Sequence, residues 1–184
     1  MHTWDHAVDG HRTAQREAIA AAAWGLALQH GPFALSMSQV ADAAGVSRPT
    51  LYKYFPDVQS MLTAHHRKHV EMHVAELEAV VSGSGLPGER LKRLVGAYAE
   101  ICHHRARQGD ADVDRLVHSA SELDAAESQL IELFARAIRE AGQRGNDLSP
   151  AALAAYAVRA LSAAAQVPRS KVPAVARLVL ESLT

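Results

Sequence analysis

The sequence lacks the cysteine pairs that crosslink secreted proteins and the long apolar segments that anchor membrane proteins. Its 184 residues include one cysteine, Cys102, which excludes an internal disulfide and suits a reducing compartment. The apolar run at residues 18–24 is too short to span a bilayer, and residues 1–12 lack the charged-then-apolar layout of a signal peptide. We therefore expect a soluble protein in the cytoplasm.

Alternation of apolar and polar residues with a period of two is also missing, so we expect no β-sheet. Apolar residues instead recur three and four positions apart along most of the chain, which is typical of helices packed on one face. With 48% hydrophobic residues, the chain can bury a sizeable core. These observations predict an all-α fold with about nine helices.

Motifs of catalysis are scarce as well. The sequence contains no nucleophile motif and no glycine-rich loop that would cradle a phosphate. We therefore expect neither enzymatic activity nor a cofactor.

The segment from Ser36 to Phe55 predicts two short helices joined by a glycine turn. Ser36 can cap the first helix in a capping box with Gln39, and Gly45 can adopt the left-handed conformation that ends it. Ser47 can cap the second helix, whose first turn tolerates a proline because no amide hydrogen is needed there. The apolar stripe of the first helix is Met37, Val40, Ala41 and Ala44. This is the pattern of a helix-turn-helix unit.

The second of these helices has the composition of a helix that enters the DNA major groove. Leu51 and Phe55 lie four residues apart and should face inward. Arg48 can donate a bidentate pair to guanine, and Pro49 and Thr50 can touch a thymine methyl. A packing corner in a helical protein without a DNA partner is the alternative. The residues expected at DNA, including those that reach phosphates, are Ser36, Ser38, Ser47, Arg48, Pro49, Thr50, Tyr52, Lys53 and Tyr54.

The charge balance is unusual for a protein that binds DNA. The chain has a formal net charge of -1, whereas nucleic-acid binders are usually basic. Any attraction must therefore be local, and because phosphate contacts set the salt dependence, we expect tight binding only at low to moderate ionic strength. Up to Pro56 the charges balance, with Arg12, Arg16, Arg48 and Lys53 against Asp5, Asp9, Glu17 and Asp42.

On the helix-turn-helix residues, the chain resembles the TetR family of bacterial transcriptional repressors, whose hallmark it carries from Val40 to Phe55 as VADAAGVSRPTLYKYF. The resemblance covers about a third of the chain closely. It extends to both sides of the hallmark, through Arg16, Ile19, Ala22, Ala23 and Gly31, and through Pro56, Asp57, Met61 and Leu62.

The resemblance implies roles for single residues. Arg48, Pro49, Thr50 and Tyr52 would face bases, and Lys53 and Tyr54 would hold the DNA backbone. Two positions depart from the family pattern. Ser38 stands where arginine or lysine is common, and Val58 stands where many members have a lysine that contacts phosphate. Weaker or differently placed backbone contacts are therefore expected.

The sequence divides into two predicted domains. Residues 1–56 would form an N-terminal arm and the helix-turn-helix DNA-binding domain, and residues 57–184 a helical domain for effector binding and dimerisation. A long helical pattern runs from about Asp57 to Val81 and ends at a flexible connection, residues 82–88. Further helical patterns start at Glu89, near Val113 and at Leu123.

The last two helical patterns form the predicted dimer surface. One opens at Ser149 and Pro150, and the other follows the break at Pro168. Small side chains let helices approach closely, so these helices and their symmetry mates would form a four-helix interface, as the resemblance also implies. Completion of a monomeric core is the alternative. The predicted interface residues are Leu153, Tyr156, Ala157, Ala160, Leu161, Ala164, Val172, Val175, Val179 and Leu183.

Together these features predict a homodimeric regulator that binds a near-palindromic DNA operator. Its action as a repressor released by a small molecule is implied by the resemblance. An aromatic content of 5% favours an aliphatic or small polar effector over flat, stacking compounds. An orphan regulator without an effector is the alternative. The expected polar or aromatic effector contacts are Tyr98, Cys102, His118, Phe134 and Tyr156.

Histidines supply a rival hypothesis, a metal-sensing repressor. His65, His69 and His73 follow one another at intervals of four residues, with His66 alongside. Two histidines at this spacing can share a transition metal, with a further ligand from a neighbouring helix. No motif fixes that ligand, so we expect no metal site and interpret the histidines as solvated or partly buried helix residues.

Overall fold

The computed structural model describes residues 3–107, 120–142 and 147–183, which form eight α-helices and three short 3-10 helices without a strand among them. The all-α prediction is confirmed. The short helix predicted near Val113 lies outside the described residues. The helices are α1 (Thr3–His30), α2 (Met37–Ala43), α3 (Arg48–Tyr54), α4 (Val58–Ser82), α5 (Pro87–Arg107), α6 (Ala120–Ala141), α7 (Pro150–Leu161) and α8 (Val172–Leu183).

The described residues group into two compact units. The first consists of residues 3–69, and the second of residues 70–107, 120–142 and 147–183. The division falls within α4, between His69 and Val70. The domain boundary predicted at Pro56 marks the end of the helix-turn-helix pattern, and it stays a prediction. None of the described helices is both long and apolar enough to cross a membrane.

The core of the first unit joins α1 to the helix-turn-helix. Ile19 and Ala23 of α1 are buried in the same cluster as Leu51 and Phe55, and Leu62 of α4 belongs to it as well. Leu51 and Phe55 therefore face inward, as their spacing predicted. Burial of one such side chain contributes roughly 1.5–3 kcal/mol, so these contacts determine which face of α3 stays outside.

Capping side chains define both helices of the helix-turn-helix. The hydroxyl of Ser36 accepts from the amide of Gln39 at 3.3 Å, while Gln39 Oε1 accepts from the amide of Ser36 at 2.9 Å. Ser47 caps α3 by accepting from the amide of Thr50 at 3.3 Å. Gly45 lies between the helices with a φ of 65°. The predicted capping box, glycine turn and second cap are all present.

The core of the second unit lies among α5, α6, α7 and α8. The α5 helix packs on α6, on α8 and on the 3-10 helix Ser162–Gln166, and α6 packs on α7. The largest fully buried side chains there are Leu77, Leu91, Leu94, Phe134, Ile138, Leu153 and Leu161.

Two arginines hold the connection between α4 and α5. Arg93 Nη2 donates to the carbonyl oxygen of Ser84 at 2.6 Å, and Arg90 Nη1 lies 3.5 Å from the carbonyl oxygens of Gly83 and Gly85. The glycine and serine content predicted a flexible connection. In the structure, carbonyl oxygens of this connection accept hydrogen bonds from arginine side chains in the first turns of α5. The glycine content alone does not reveal these bonds.

Gly45→Ala should lower the free energy of unfolding by about 1–2 kcal/mol, because a Cβ is strained in the left-handed region. An added Cβ would meet no atom within 4 Å, so strain is the only expected cause. Gly25→Ala in α1 is the matched control, since its Cβ also meets nothing within 4 Å. Helical geometry accommodates alanine there, and we expect a gain of about 0.4–1 kcal/mol. Urea unfolding followed by circular dichroism measures the free energy of unfolding of both variants. An equal change in the two variants would contradict the assignment of strain to Gly45.

Candidate nucleic-acid interface

The α3 helix lies at the surface with its polar residues outward. Arg48, Pro49 and Lys53 are exposed, and Tyr52 is 57% exposed. Leu51 is fully buried on the opposite face. The helix therefore presents one continuous polar face to a partner and is anchored by the other.

Arg48 makes one contact with the preceding helix. Its Nη2 donates to the hydroxyl of Ser38 on α2, which joins two of the residues predicted to contact DNA. A guanidinium has five N–H donors, so this bond leaves donors for a base edge. Ser38 orients the Arg48 side chain in this arrangement and adds no charge of its own.

Three predicted DNA contacts already use their hydroxyls in the helix caps. Ser36 Oγ donates to Gln39 Oε1 at 2.7 Å, and Ser47 Oγ lies 2.8 Å from Thr50 Oγ1. The Thr50 side chain is half-buried, whereas Ser36 and Ser47 are exposed. These hydroxyls shape the ends of the helices, and any bond to DNA has to share them with the caps.

Tyr54 differs from Tyr52 in its surroundings. Its ring is partly buried, and its hydroxyl donates to Gln15 Oε1 on α1 at 2.7 Å. That proton is therefore used within the chain, so the hydroxyl can only accept from a further group. Tyr54 ties the C-terminal end of α3 to α1, and its predicted contact with the DNA backbone stays a prediction.

A cleft of about 240 Å³ lies beside this hydrogen bond, between α1 and the end of α3. It is lined by Arg12, Thr13, Arg16, Lys53 and Tyr54. The Arg16 guanidinium carbon lies 4.6 Å from the centroid of the Phe55 ring, a cation–π contact. Neither Arg12 nor Arg16 was among the residues predicted to contact DNA. Their spacing of four residues, which puts both on one helix face, was the available signal.

In the second unit, three of the predicted effector contacts lie together. The rings of Tyr98 and Phe134 meet edge to face with centroids 5.6 Å apart, and Tyr98 shares a hydrogen bond with Cys102. Burial raises the pKa of the Tyr98 hydroxyl, and burial likewise raises the pKa of the Cys102 thiol. Both groups therefore stay protonated at neutral pH. Tyr156 is 48% exposed at the surface of α7, and His118 lies outside the described residues.

Among the residues that the structure describes, His103 is a polar residue buried in the core, with 4% of its surface exposed. Its Nδ1 donates to the carbonyl oxygen of Ala164 at 3.1 Å, and its Nε2 has no partner among the described residues. Glu100, which stands three residues earlier on α5, is exposed. The two side chains therefore face opposite environments and do not form a joint acid–base or metal site.

The predicted dimer residues lie mostly inside the second unit. These residues pack on their own chain, and their contact with a partner subunit stays a prediction. Tyr156 and Leu178 are 48% and 65% exposed and are the large apolar groups that these two helices leave at the surface. Ala160 and Val175 are partly buried. The buried members of the predicted interface are Leu153, Ala157, Leu161, Ala164, Val172, Val179 and Leu183.

Two histidines of α4, His65 and His66, pack against Trp24 of α1. The ring centroids of Trp24 and His65 lie 4.9 Å apart, and those of His65 and His69 lie 4.5 Å apart. His66 stacks near the same tryptophan at 6.1 Å. Across residues 3–107, 120–142 and 147–183, no group of three or more histidine, cysteine or carboxylate side chains is placed to hold a metal ion.

Comparison with known proteins connects this geometry to regulators of transcription. The family model of "bacterial regulatory proteins, tetR family" matches residues 19–64. The HTH-type transcriptional repressor KstR of Mycobacterium tuberculosis is 30% identical over 129 residues, which cover 67% of this chain and 58% of KstR. The alignment thus spans less than two thirds of that repressor.

Solved structures share the fold at lower identity. A transcriptional regulator of the TetR/AcrR family from Thermobifida fusca superposes with a TM-score of 0.75 at 22% identity, covering 91% of this chain and 97% of that one. AibR, solved with isovaleryl coenzyme A and operator DNA, superposes with a TM-score of 0.66 at 14% identity, covering 91% and 97%.

The histidine cluster predicts acid sensitivity of the first unit. Burial, followed by the charges of His69, His66 and Lys68, lowers the pKa of His65 from 6.5 to about 4. Between these pH values the unfolded chain binds more protons than the folded chain, so stability is lost as the pH falls from about 6.5 towards 4. One proton contributes at most about 1.4 kcal/mol per pH unit, and solvent screening reduces this for a half-exposed ring.

Urea unfolding between pH 4.5 and 7.5 measures this slope. His65→Phe keeps an aromatic ring against Trp24 and removes the titration, so its stability should depend less on pH than that of the wild type. Substitution of the exposed His30 by glutamine is the control and should leave the slope unchanged. The same slope in wild type and His65→Phe would exclude His65 as the source.

Proposed function

We propose, because the chain belongs to the TetR family of bacterial regulatory proteins, that it is a DNA-binding transcriptional repressor which leaves its operator when a small molecule binds. The observation that carries this proposal is the placement of α3. Leu51 and Phe55 anchor the helix in the core, while Arg48 and Tyr52 stand exposed on its other side. A helix held in this way can enter the major groove without unfolding its own domain.

The comparisons support the same function. KstR is described as a transcriptional repressor, and AibR was solved with operator DNA. The family consists of regulators, not of enzymes, and we assign this chain no catalytic role. We place its action in the cytoplasm, where bacterial DNA is accessible.

A homodimer is the second part of the proposal. One recognition helix covers only a few base pairs, so two heads are needed for the affinity and discrimination of an operator binder. The exposed Tyr156 and Leu178 on α7 and α8 offer apolar surface for pairing. A symmetric dimer would bind a near-palindromic site with half-sites about 34–36 Å apart in the simplest geometry.

For the effector, we propose an aliphatic acyl compound, with coenzyme A thioesters as the first class to test. AibR was solved with isovaleryl coenzyme A. The cluster of Tyr98, Cys102 and Phe134 supplies apolar surface with hydroxyl and thiol groups that stay protonated. The Nε2 of His103, which has no partner among the residues that the structure describes, is a further group that an effector could satisfy, since an unmet buried polar atom costs about 1–3 kcal/mol.

Selection of bound duplexes from random DNA should return an inverted repeat, and Arg48→Ala should then weaken binding by about 1–3 kcal/mol at one base pair of each half-site. The loss arises because the bidentate contact to guanine is removed. Binding of the variant to each single-base change of the selected site measures this. A loss of equal size on every sequence would reassign Arg48 to the DNA backbone, and a selected site without symmetry would contradict the dimer.

Isovaleryl coenzyme A should release the selected duplex, whereas free coenzyme A should not, because the acyl chain is expected to occupy the apolar cluster. A shift from mostly bound to mostly free requires a preference of about 10⁴-fold for the non-binding state. Fluorescence anisotropy of labelled DNA during titration measures the release. Retention of DNA with short and long acyl thioesters alike would exclude this effector class and leave the DNA-binding proposal intact.

A further inference from the structure

We infer that the cleft between α1 and the end of α3 is a site for one DNA backbone phosphate, held by Arg12 and Lys53 with Arg16 behind them. This inference rests on the proposed function. It adds Arg12 and Arg16 of α1, which lie outside the helix-turn-helix segment, to Lys53, for which the resemblance already implies a contact with the DNA backbone. The phosphate contact would fix the register of α3 on the duplex, since phosphate contacts position a protein while base contacts specify the sequence.

Positive charge is concentrated in this cleft. Three of the four cationic residues up to Pro56, Arg12, Arg16 and Lys53, line one cleft of about 240 Å³. That volume is roughly eight times the share of one liquid water, at about 30 Å³ each, so it has room for a phosphate group. Three like charges repel one another, and an anion between them relieves that repulsion.

Arg12 and Lys53 make no hydrogen bond or ion pair with any described residue. Glu17, the acidic residue next to Arg16 in sequence, is paired with Lys68 of α4. Asp57 lines a neighbouring cleft, where its Oδ1 accepts from the amide of Ser60 at 2.7 Å. An incoming phosphate would therefore not have to displace either of these two carboxylates.

The walls of the cleft are held by contacts within the first unit. Arg16 lies over the ring of the buried Phe55, and Tyr54 is bonded through its hydroxyl to Gln15. Both walls thus belong to the contacts that anchor α3. A phosphate held here would be fixed relative to the helix that meets the bases, which is what a register contact requires.

The location favours the backbone of bound DNA as the source of the phosphate. Lys53 is an exposed residue of α3 itself, one residue after the exposed Tyr52. A duplex with its major groove on α3 brings phosphates to the flanks of that helix. A head with four positive and four negative residues up to Pro56 could bind DNA in this way, because three of the four positive charges are gathered at one place.

The test uses the duplex that the wild-type protein selects from random DNA. Affinities of the wild type, Arg12→Ala, Lys53→Ala and Arg12→Lys are measured between 50 and 200 mM salt, on the selected duplex and on a single-base variant of it. Lys92→Ala, which removes an exposed lysine of α5, is the matched control. Arg16 is left unchanged, because its contact with Phe55 would make a loss of DNA binding ambiguous.

Loss of one phosphate contact should reduce the slope of log affinity against log salt by about 0.9 per head, which is about 1.8 for a dimer. Arg12→Ala and Lys53→Ala should weaken both duplexes by the same factor, so their ratio stays unchanged. Arg12→Lys should keep most of the wild-type slope, and Lys92→Ala should keep all of it. In a duplex with a neutral methylphosphonate at the contacted position, Arg12→Ala should cause no further loss.

An unchanged slope in Arg12→Ala and Lys53→Ala would overturn the inference, as would a changed ratio between the two duplexes, which would indicate contact with bases. Circular dichroism of each variant verifies folding, and the charge-conserving Arg12→Lys separates loss of charge from loss of structure. Failure of the wild type to select any DNA would overturn the proposed function itself. If the wild type binds DNA and the variants bind it with an unaltered salt slope, only the phosphate site would be overturned.

Discussion

The burial of Leu51 and Phe55 against α1 is the contact on which the DNA-binding head depends. The α3 helix has only the residues from Arg48 to Tyr54, too few to be stable alone. Its stability therefore comes from the two side chains inserted among Ile19, Ala23 and Leu62. The same insertion leaves the opposite face of the helix free for a partner, so stability and recognition are divided between its two sides.

The α1 helix does more than cover this core. Gln15 Oε1 accepts a hydrogen bond from the Tyr54 hydroxyl, and Arg16 lies over the ring of Phe55. These two contacts connect α1 to the end of α3 in addition to the apolar core. These contacts come from residues nearly forty positions away in sequence from the helix they support. They also bring Arg16 and Arg12 beside Lys53. Anchoring α3 and gathering positive charge are thus achieved by one helix–helix contact.

The local signals of this chain were reliable where they concerned single turns. The caps at Ser36 and Ser47 and the left-handed Gly45 are present because each depends on residues within four positions of one another. The dimer stripe illustrates the opposite case. Leu153 and Val179 have the spacing of a packing face, but periodicity does not say what lies against that face, and in the structure it is the chain's own core.

The amino-acid sequence alone determined the helical class, the helix-turn-helix and the inward side of α3, because periodicity, caps and glycine act over short distances. Only the tertiary structure decided which side chains from distant helices meet: Arg12 with Lys53, Gln15 with Tyr54, and Arg90 and Arg93 with the connection before α5. The physical reason is that charge and hydrogen-bonding capacity are properties of a residue, whereas a partner is a property of the packing that brings two helices together.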